Sequence, residues 1–437
     1  MALLIKPISH PLSARVHVPG SKSLTNRALL IAALSDGTTL LTHALFSDDS
    51  RYFAHALQTL GFEVRLDEKK CEMTVQGLGG KIPSRRAEVF VGNAGTAARF
   101  LSAFLTLGHG EYILDGDVRM RERPIGDLIS ALVQLGAELE PVEPENRLKS
   151  GDFSSIHLPV QIKAGGLRGG RAKIAGNLSS QFLSALLMTA PYAQLPVEID
   201  LSSELNSKPY VDMTLAVMED FGIRVHRSGY ERYSVQPGIY SSRQNYPIES
   251  DASAASYFFA APAICGGTVR VEDISFSSKQ GDTAFLDVLI KMGCTVLEKE
   301  NGIEVTGGSE LMGIDADMRD IPDTAQTLAV IAPFAQTPTR IRGIASARLK
   351  ETDRIHATCT QLSRLGVKVE EHDDGMTIHP CKSFIPATIQ TYNDHRMAMA
   401  FSLIGLRINQ LAIENPECVS KTFPDFFEVL DSLRETI

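Results

Sequence analysis

The sequence predicts an α/β protein of two lobes, each built from three copies of one strand, helix, strand, helix, strand, strand unit. Three observations predict it. At 437 residues the chain is too long for one ordinary core. An apolar-periodic helix that ends in Gly and runs into a short strand returns five times, as "ALQTLGFEV", "ALVQLGAEL", "VMEDFGIRV", "VLIKMGCTV" and "QLSRLGVKV". Interleaved with it is a second helix type, Ala-rich and apolar almost all round, which appears six times.

The glycines of the first pattern, Gly61, Gly136, Gly222, Gly293 and Gly366, are spaced 75, 86, 71 and 73 residues apart. The long interval holds an extra loop, "EPENRLKSGDFSS". Each glycine suits the left-handed position that ends a helix, where a Cβ is costly. A sixth amphipathic helix, "FPDFFEVLDSLRETI", arrives on schedule. The second helix type follows a short strand each time, in "VHVPGSKSLTNRALLIAAL", "VFVGNAGTAARFLSAFL", "AKIAGNLSSQFLSALLMTA", "YPIESDASAASYFFAAPAI", "MRDIPDTAQTLAVIAPFA" and "IQTYNDHRMAMAFSLIGL". Helices apolar on every face belong in the interior. The last unit lacks its final strands, and the N-terminal "ALLIKPIS" is available to complete it. Crossovers between lobes are expected near residues 18–22 and 245–250, where "VPGSK" and "SSRQNYPIES" supply turn residues. One lobe then spans residues 21–246 and the other residues 1–20 with 247–437.

An apolar fraction of 43% with 22% charged residues is that of a soluble globular protein. A net charge of −9 and no basic run longer than Arg85–Arg86 argue against nucleic acid as the partner. Six cysteines are scattered without a CxxC pair or metal-ligand spacing, so neither a disulfide framework nor a metal site is expected. Free thiols fit the cytoplasm. The opening "MALLIKPISHPLSARV" is broken by Lys6 and Pro7, and no later stretch reaches the length of a membrane span.

With the apolar helices inside, their N-termini are expected to meet at one cleft, where free N–H groups and the helix dipole favour anions. The first helix offers Ser21, Lys22, Ser23 and Arg27; the second Asn93, Ala94, Gly95, Thr96 and Arg99; the third Ser179, Ser180 and Gln181. The amphipathic helices open on "RERPIG" with Arg123 before Pro124 at the first helical position, "NSKPYVD" with Ser207 and Tyr210, "LKETDR" with Lys350 and Arg354, and "SKTFPD" with Lys421. Cations in a first turn are disfavoured by roughly 0.3–1 kcal/mol each, a cost that a polyanionic ligand offsets. "YNDHRMAM" adds His395 and Arg396.

Each of these has an ordinary alternative. Lys22 and Lys421 could be solvated charges, Ser179 and Ser180 plain N-caps, the GNAGT loop a turn, His395 a core histidine and Tyr210 a ring packed on Pro209. Recurrence at equivalent places of a repeat favours a shared ligand. Two acids stand in this basic company, Asp323 in "DIPDTAQ" and Glu351 beside Lys350. Anion binding has no use for them, whereas proton transfer does.

"PGSKSLTNRALL", "GNAGTAARFL", "RMRERPIGDL", "SSQFLSALLM", "SKPYVDMTL", "DASAASYF", "LKETDRI", "NDHRMAMAF" and "KTFPDFF" together resemble the 5-enolpyruvylshikimate-3-phosphate synthases along essentially the whole chain. The resemblance implies a two-lobed inside-out α/β barrel of six βαβαββ repeats, three per lobe. It also implies the reaction of phosphoenolpyruvate with shikimate 3-phosphate to give 5-enolpyruvylshikimate 3-phosphate and phosphate, without metal or organic cofactor, by a monomer. By that resemblance Lys22, Ser23, Arg27, Ser179, Ser180, Gln181, Ser207, Asp323 and Lys350 hold shikimate 3-phosphate. Lys22, Gly95, Arg123, Gln181, Arg354, Arg396 and Lys421 hold phosphoenolpyruvate. Asp323 is implied as the base toward the 5-hydroxyl, Glu351 as the group that protonates the vinyl methylene, and Lys22 as a second proton carrier. Asn93, Thr96, Tyr210 and His395 are supporting contacts, and Gly95 leaves the small space glyphosate needs. The sequence departs from several relatives at Ser346, where they place an asparagine.

Two other readings compete. The sister enolpyruvyl transferases acting on UDP-N-acetylglucosamine usually carry a reactive Cys, or Asp, in the loop after the second buried helix. Here "LGHGEYILDGDVRMRERP" has no Cys, and Asp115 and Asp117 read as turn residues. The other is a non-catalytic polyanion-binding repeat protein, which Asp323 and Glu351 speak against.

Overall fold

The computed structural model describes residues 2–142, 153 and 156–434. Most of the extra loop expected over residues 143–155, and the last three residues of the segment expected to form the final helix, lie outside these. The chain divides into one unit formed by Gly20–Ile248 and another formed by Met1–Pro19 with Glu249–Ile437.

Among the described residues the first unit holds helices α1 (Lys22–Leu34), α2 (Asp48–Thr59), α3 (Gly95–Leu105), α4 (Gly126–Gln134), α5 (Ser180–Thr189) and α6 (Lys208–Asp220). The second holds α7 (Ala252–Cys265), α8 (Phe285–Lys291), α9 (Ala325–Ile331), α10 (Arg354–Arg364), α11 (His395–Gly405) and α12 (Phe426–Ser432). The odd-numbered helices are the Ala-rich ones. Every residue of α3, α9 and α11 is buried, because small side chains let neighbouring backbones pack on all sides. The even-numbered helices bury one stripe. Those followed by the repeated glycine end as the motif requires, with φ of +91° at Gly61, +94° at Gly136, +91° at Gly222, +106° at Gly293 and +82° at Gly366.

Among the described residues each unit carries three sheets. Around α3, α5, α9 and α11 the pattern is the same: the strand ahead of the core helix pairs in parallel with the strand after it, and that strand pairs antiparallel with a hairpin or its equivalent. Residues 86–90, 109–115, 160–165 and 138–141 form one such sheet in that order. A parallel pair needs a crossover, which the buried helix supplies.

The repeat is not a plain series, however. Leu12–Val16, the strand ahead of α1, pairs with Gly267–Val271 of the fourth repeat. Its expected place beside Asp36–Thr42 is taken by Tyr246–Pro247, with Tyr246 opposite Leu41 and Pro247 opposite Thr42. The first and fourth repeats therefore exchange their leading strands at the two places where the chain passes between units. Pro247 is tolerated there because that strand lies at a sheet edge. The sixth sheet is completed by the N-terminal Leu3–Leu4, antiparallel to Ala412–Ile413. Among the described residues no helix is long and apolar enough to cross a membrane.

Candidate active site

In the unit formed by Gly20–Ile248, Ser21 caps α1 by accepting from Leu24 N, which leaves Lys22 as the first helical residue. Lys22 is not a solvated surface charge: its side chain is 13% exposed, and its Nζ lies 3.7 Å from Oδ2 of Asp49 in the first turn of α2. Ser23 and Arg27 share a face one turn apart, and Arg27 Nη1 donates to the Ser23 carbonyl. The Arg27 guanidinium is fully buried, and burial lowers its pKa to about 10, so it keeps its charge at neutral pH.

Gly95 opens α3 after Ala94. A Cβ on Gly95 would lie 2.6 Å from Arg123 Nη2, so only glycine lets this guanidinium rest on the helix end. Arg123 is buried and donates from Nη1 to Asn93 Oδ1 at 3.1 Å. Arg99 fastens the same loop, donating to the Gly95 carbonyl at 3.1 Å and the Pro124 carbonyl at 3.0 Å. Ser179 caps α5 by accepting from Gln181 N, and the Gln181 amide donates to Thr96 Oγ1 at 3.3 Å, tying α5 to α3. Ser180 is buried as the first residue of α5. Ser207 caps α6 in a left-handed conformation, φ +57°, and Tyr210 follows in the first turn.

In the other unit the acids and cations form one network. Asp323 accepts from Arg396 Nη2 at 2.8 Å and Arg354 Nη1 at 3.2 Å, with Lys350 Nζ 4.0 Å away. Glu351 accepts from Arg354 Nη2 at 2.9 Å and lies 3.8 Å from Lys421 Nζ. Asp394 accepts from Arg354 Nε at 2.8 Å and Nη2 at 3.3 Å. Four cations thus face three carboxylates. Burial opposes the charge of Arg354, but attraction to Asp394, Glu351 and Asp323 outweighs it and raises its pKa. Burial also pushes the Tyr257 hydroxyl, which accepts from Arg396, up to about 12. His395, at the start of α11, has no exposed surface, and its Nδ1 is 3.6 Å from Asp394 Oδ1. Ser346 sits in the 3₁₀ turn Ala345–Leu349 just ahead of Lys350.

The structure corrects the expected helix starts. Lys350 precedes α10, which begins at Arg354 after the N-cap Asp353. Arg123 follows the 3₁₀ turn Met120–Glu122, and α4 begins only at Gly126, so Pro124 is not its first residue. Lys421 ends the 3₁₀ turn Pro416–Lys421, ahead of α12. Three of these cations therefore sit at the carbonyl ends of short turns, where a positive charge is favoured. Of Arg123, Lys350, Arg354 and Lys421, Arg354 alone stays at a helix N-terminus, and protein carboxylates offset its cost. Asp323 lies within the 3₁₀ turn Pro322–Thr324, and Thr324 precedes α9. Asp115 and Asp117 serve the turn as expected, accepting from Arg121 and from Met120 N.

Sequence reasoning passed over Asp394 and Asp49. The signal for Asp394 was available, since Asp before an apolar helix is a preferred N-cap, and it accepts from Arg396 N at 2.9 Å. Nothing local marks Asp49, whose contact with Lys22 joins two helices.

Fold and site together define the class: an α/β repeat protein of two units, in each of which cations and hydroxyls lie in or near the segments that lead into helices, with carboxylates among the cations in one of them. The chain belongs to the EPSP synthase family, matching EPSP synthase (3-phosphoshikimate 1-carboxyvinyltransferase) over residues 6–430. It is 48% identical over 434 residues to the 3-phosphoshikimate 1-carboxyvinyltransferase of Sulfurovum sp. (strain NBC37-1), covering 99% of each chain. The enzyme of that name from Trichormus variabilis is 47% identical over 97% of each. Among solved structures, EPSP synthase from Acinetobacter baumannii superposes with a TM-score of 0.80 at 25% identity, covering 98% of this chain and 97% of that one.

Proposed function

We propose that the chain transfers the enolpyruvyl group of phosphoenolpyruvate to the 5-hydroxyl of shikimate 3-phosphate, releasing phosphate, as a cytoplasmic monomer that needs neither metal nor organic cofactor. The observation that carries this reading is the pair of carboxylates, Asp323 and Glu351, held 3.2 and 2.9 Å from one arginine within a group of cations. Anions alone would be bound best without them.

In this reading Asp323 takes the proton of the 5-hydroxyl, and the oxygen adds to C2 of phosphoenolpyruvate while Glu351 or Lys22 protonates the methylene. The adduct is tetrahedral and still carries phosphate. Its methyl group then returns a proton, the C–O bond to phosphate breaks, and the new enol ether forms. Arg354, Arg396, Arg123 and Lys421 hold the carboxylate and phosphate charges of phosphoenolpyruvate. Ser23, Arg27, Ser179, Ser180, Gln181, Ser207 and Lys350 hold shikimate 3-phosphate. Fixed cations of this kind supply proximity and charge stabilisation.

The test is phosphate release from the two substrates together. Release only with UDP-N-acetylglucosamine as acceptor would instead make the chain a sister transferase, and no release with either would leave a polyanion-binding protein. Two variants sharpen it. Lys22→Ala is expected to lower kcat/KM about 10–100-fold, the loss of one charge-assisted contact, while urea unfolding stays near that of the parent; ordinary kinetics would return the lysine to a structural role. Gly95→Ala pushes the Arg123 guanidinium off the start of α3, because the flexible side chain yields before the backbone does. KM for phosphoenolpyruvate should rise roughly tenfold or more, with KM for shikimate 3-phosphate little changed.

A further inference from the structure

Arg27 differs from Arg354 and Arg396 in what holds it. Arg354 and Arg396 are paired with carboxylates. Every acceptor around Arg27 is uncharged: Nε donates to Thr214 Oγ1 at 2.8 Å, Nη1 to the Ser23 carbonyl at 3.0 Å, and Nη2 to the Tyr210 carbonyl at 3.0 Å and Ser184 Oγ at 3.4 Å. The Phe100 ring centroid lies 5.4 Å from its Cζ. No carboxylate among the described residues pairs with it. A guanidinium has five N–H donors, and one on Nη1 has no acceptor among the described residues.

Thr214 is central to this arrangement. It lies on α6, Ser184 on α5 and Arg27 on α1, and the side chains of Thr214 and Ser184 are fully buried. The Thr214 hydroxyl is within donating distance of the Tyr210 carbonyl at 2.9 Å and of Ser184 Oγ at 2.8 Å. A hydroxyl has one proton, so giving it to either leaves a lone pair turned to Arg27 Nε. The Tyr210 carbonyl accepts from Arg27 Nη2 within reach of the Thr214 hydroxyl, which ties the guanidinium to the turn of α6 that begins at Ser207.

We infer that Thr214, backed by Ser184, is a positioning residue: it fixes the Arg27 guanidinium with neutral hydroxyls and so leaves its positive charge for an anionic group of shikimate 3-phosphate. A carboxylate in Thr214's place would also hold the arginine but would compete with the substrate anion for it. This inference rests on the proposed reaction, and it predicts which substrate responds.

The test compares Thr214→Val with the parent in steady-state kinetics and in direct binding of shikimate 3-phosphate by calorimetry. Valine keeps the shape and removes the hydroxyl. KM and Kd for shikimate 3-phosphate should rise about 10–100-fold, the range for a hydrogen bond to a charged group, with KM for phosphoenolpyruvate within about threefold of the parent. Thr214→Ser should restore both constants, which a purely packing role would not predict. Equal rises for the two substrates, or no rise for shikimate 3-phosphate, overturns the inference while leaving the reaction intact. A parent chain that releases no phosphate removes the reaction and the inference together. Should Thr214→Val not fold, Ser184→Ala decides, with an expected rise of about threefold for shikimate 3-phosphate alone; an unchanged value there overturns the inference.

Discussion

Asp323→Ala is expected to lower kcat by about 10²–10⁴-fold, the usual contribution of a placed acid–base group, while circular dichroism stays that of the parent. The geometry says why the loss should fall on turnover. Both Asp323 oxygens are engaged, one by Arg396 and the other by Arg354. Each oxygen keeps a second lone pair, so the carboxylate can accept a proton from a hydroxyl while the arginines hold its orientation. Asp323→Asn should be nearly as inactive, since the amide keeps the shape and cannot take the proton. Single-turnover measurement of phosphate release at saturating substrates separates this from weakened binding. A kcat within tenfold of the parent in both variants would assign the base elsewhere.

The second large effect is on stability. Arg354 is 4% exposed and paired with Asp394, which is fully buried, as well as with Glu351 and Asp323. Arg354→Leu strands a buried carboxylate without its cation, a change that costs about 3–5 kcal/mol. The midpoint of urea unfolding should fall accordingly, in the transition that reports the unit containing residues 249–437. Adding Asp394→Asn should recover part of the loss, because asparagine keeps the N-cap of α11 while removing the stranded charge. A single mutant as stable as the parent would mean that solvent reaches Asp394.

Most of the architecture was legible in the sequence because it rests on local rules. The repeated glycines announce left-handed helix ends, and the Ala-rich runs announce helices buried on all faces; both are consequences of what one residue can do with its own backbone. The exchange of Leu12–Val16 with Tyr246–Pro247 was not legible. Either strand could lie beside either neighbour, and the choice is made by tertiary packing. The helix starts were misplaced for a related reason: 3₁₀ turns lie a few residues ahead of Gly126, Arg354 and Phe426, and their composition resembles that of an α-helical first turn. At the site, motif residues such as Lys22, Arg123 and Arg354 could be picked out by their position in the repeat. Asp49, Thr214 and Ser184 could not, because each matters only through a partner on a different helix.

The strand exchange also sets an order of assembly. A ribosome delivers Gly20–Ile248 as one uninterrupted stretch that already contains every partner its three sheets require, so this half can mature while the rest is still being made. Leu12–Val16 must wait for Gly267–Val271, and Leu3–Leu4 for Ala412–Ile413 near the far end of the chain. Strands made ahead of Gly20–Ile248 thus pair after it is complete: a nascent chain stalled before residue 267 would leave Leu12–Val16 without its partner, and one stalled before residue 412 would leave Leu3–Leu4 so.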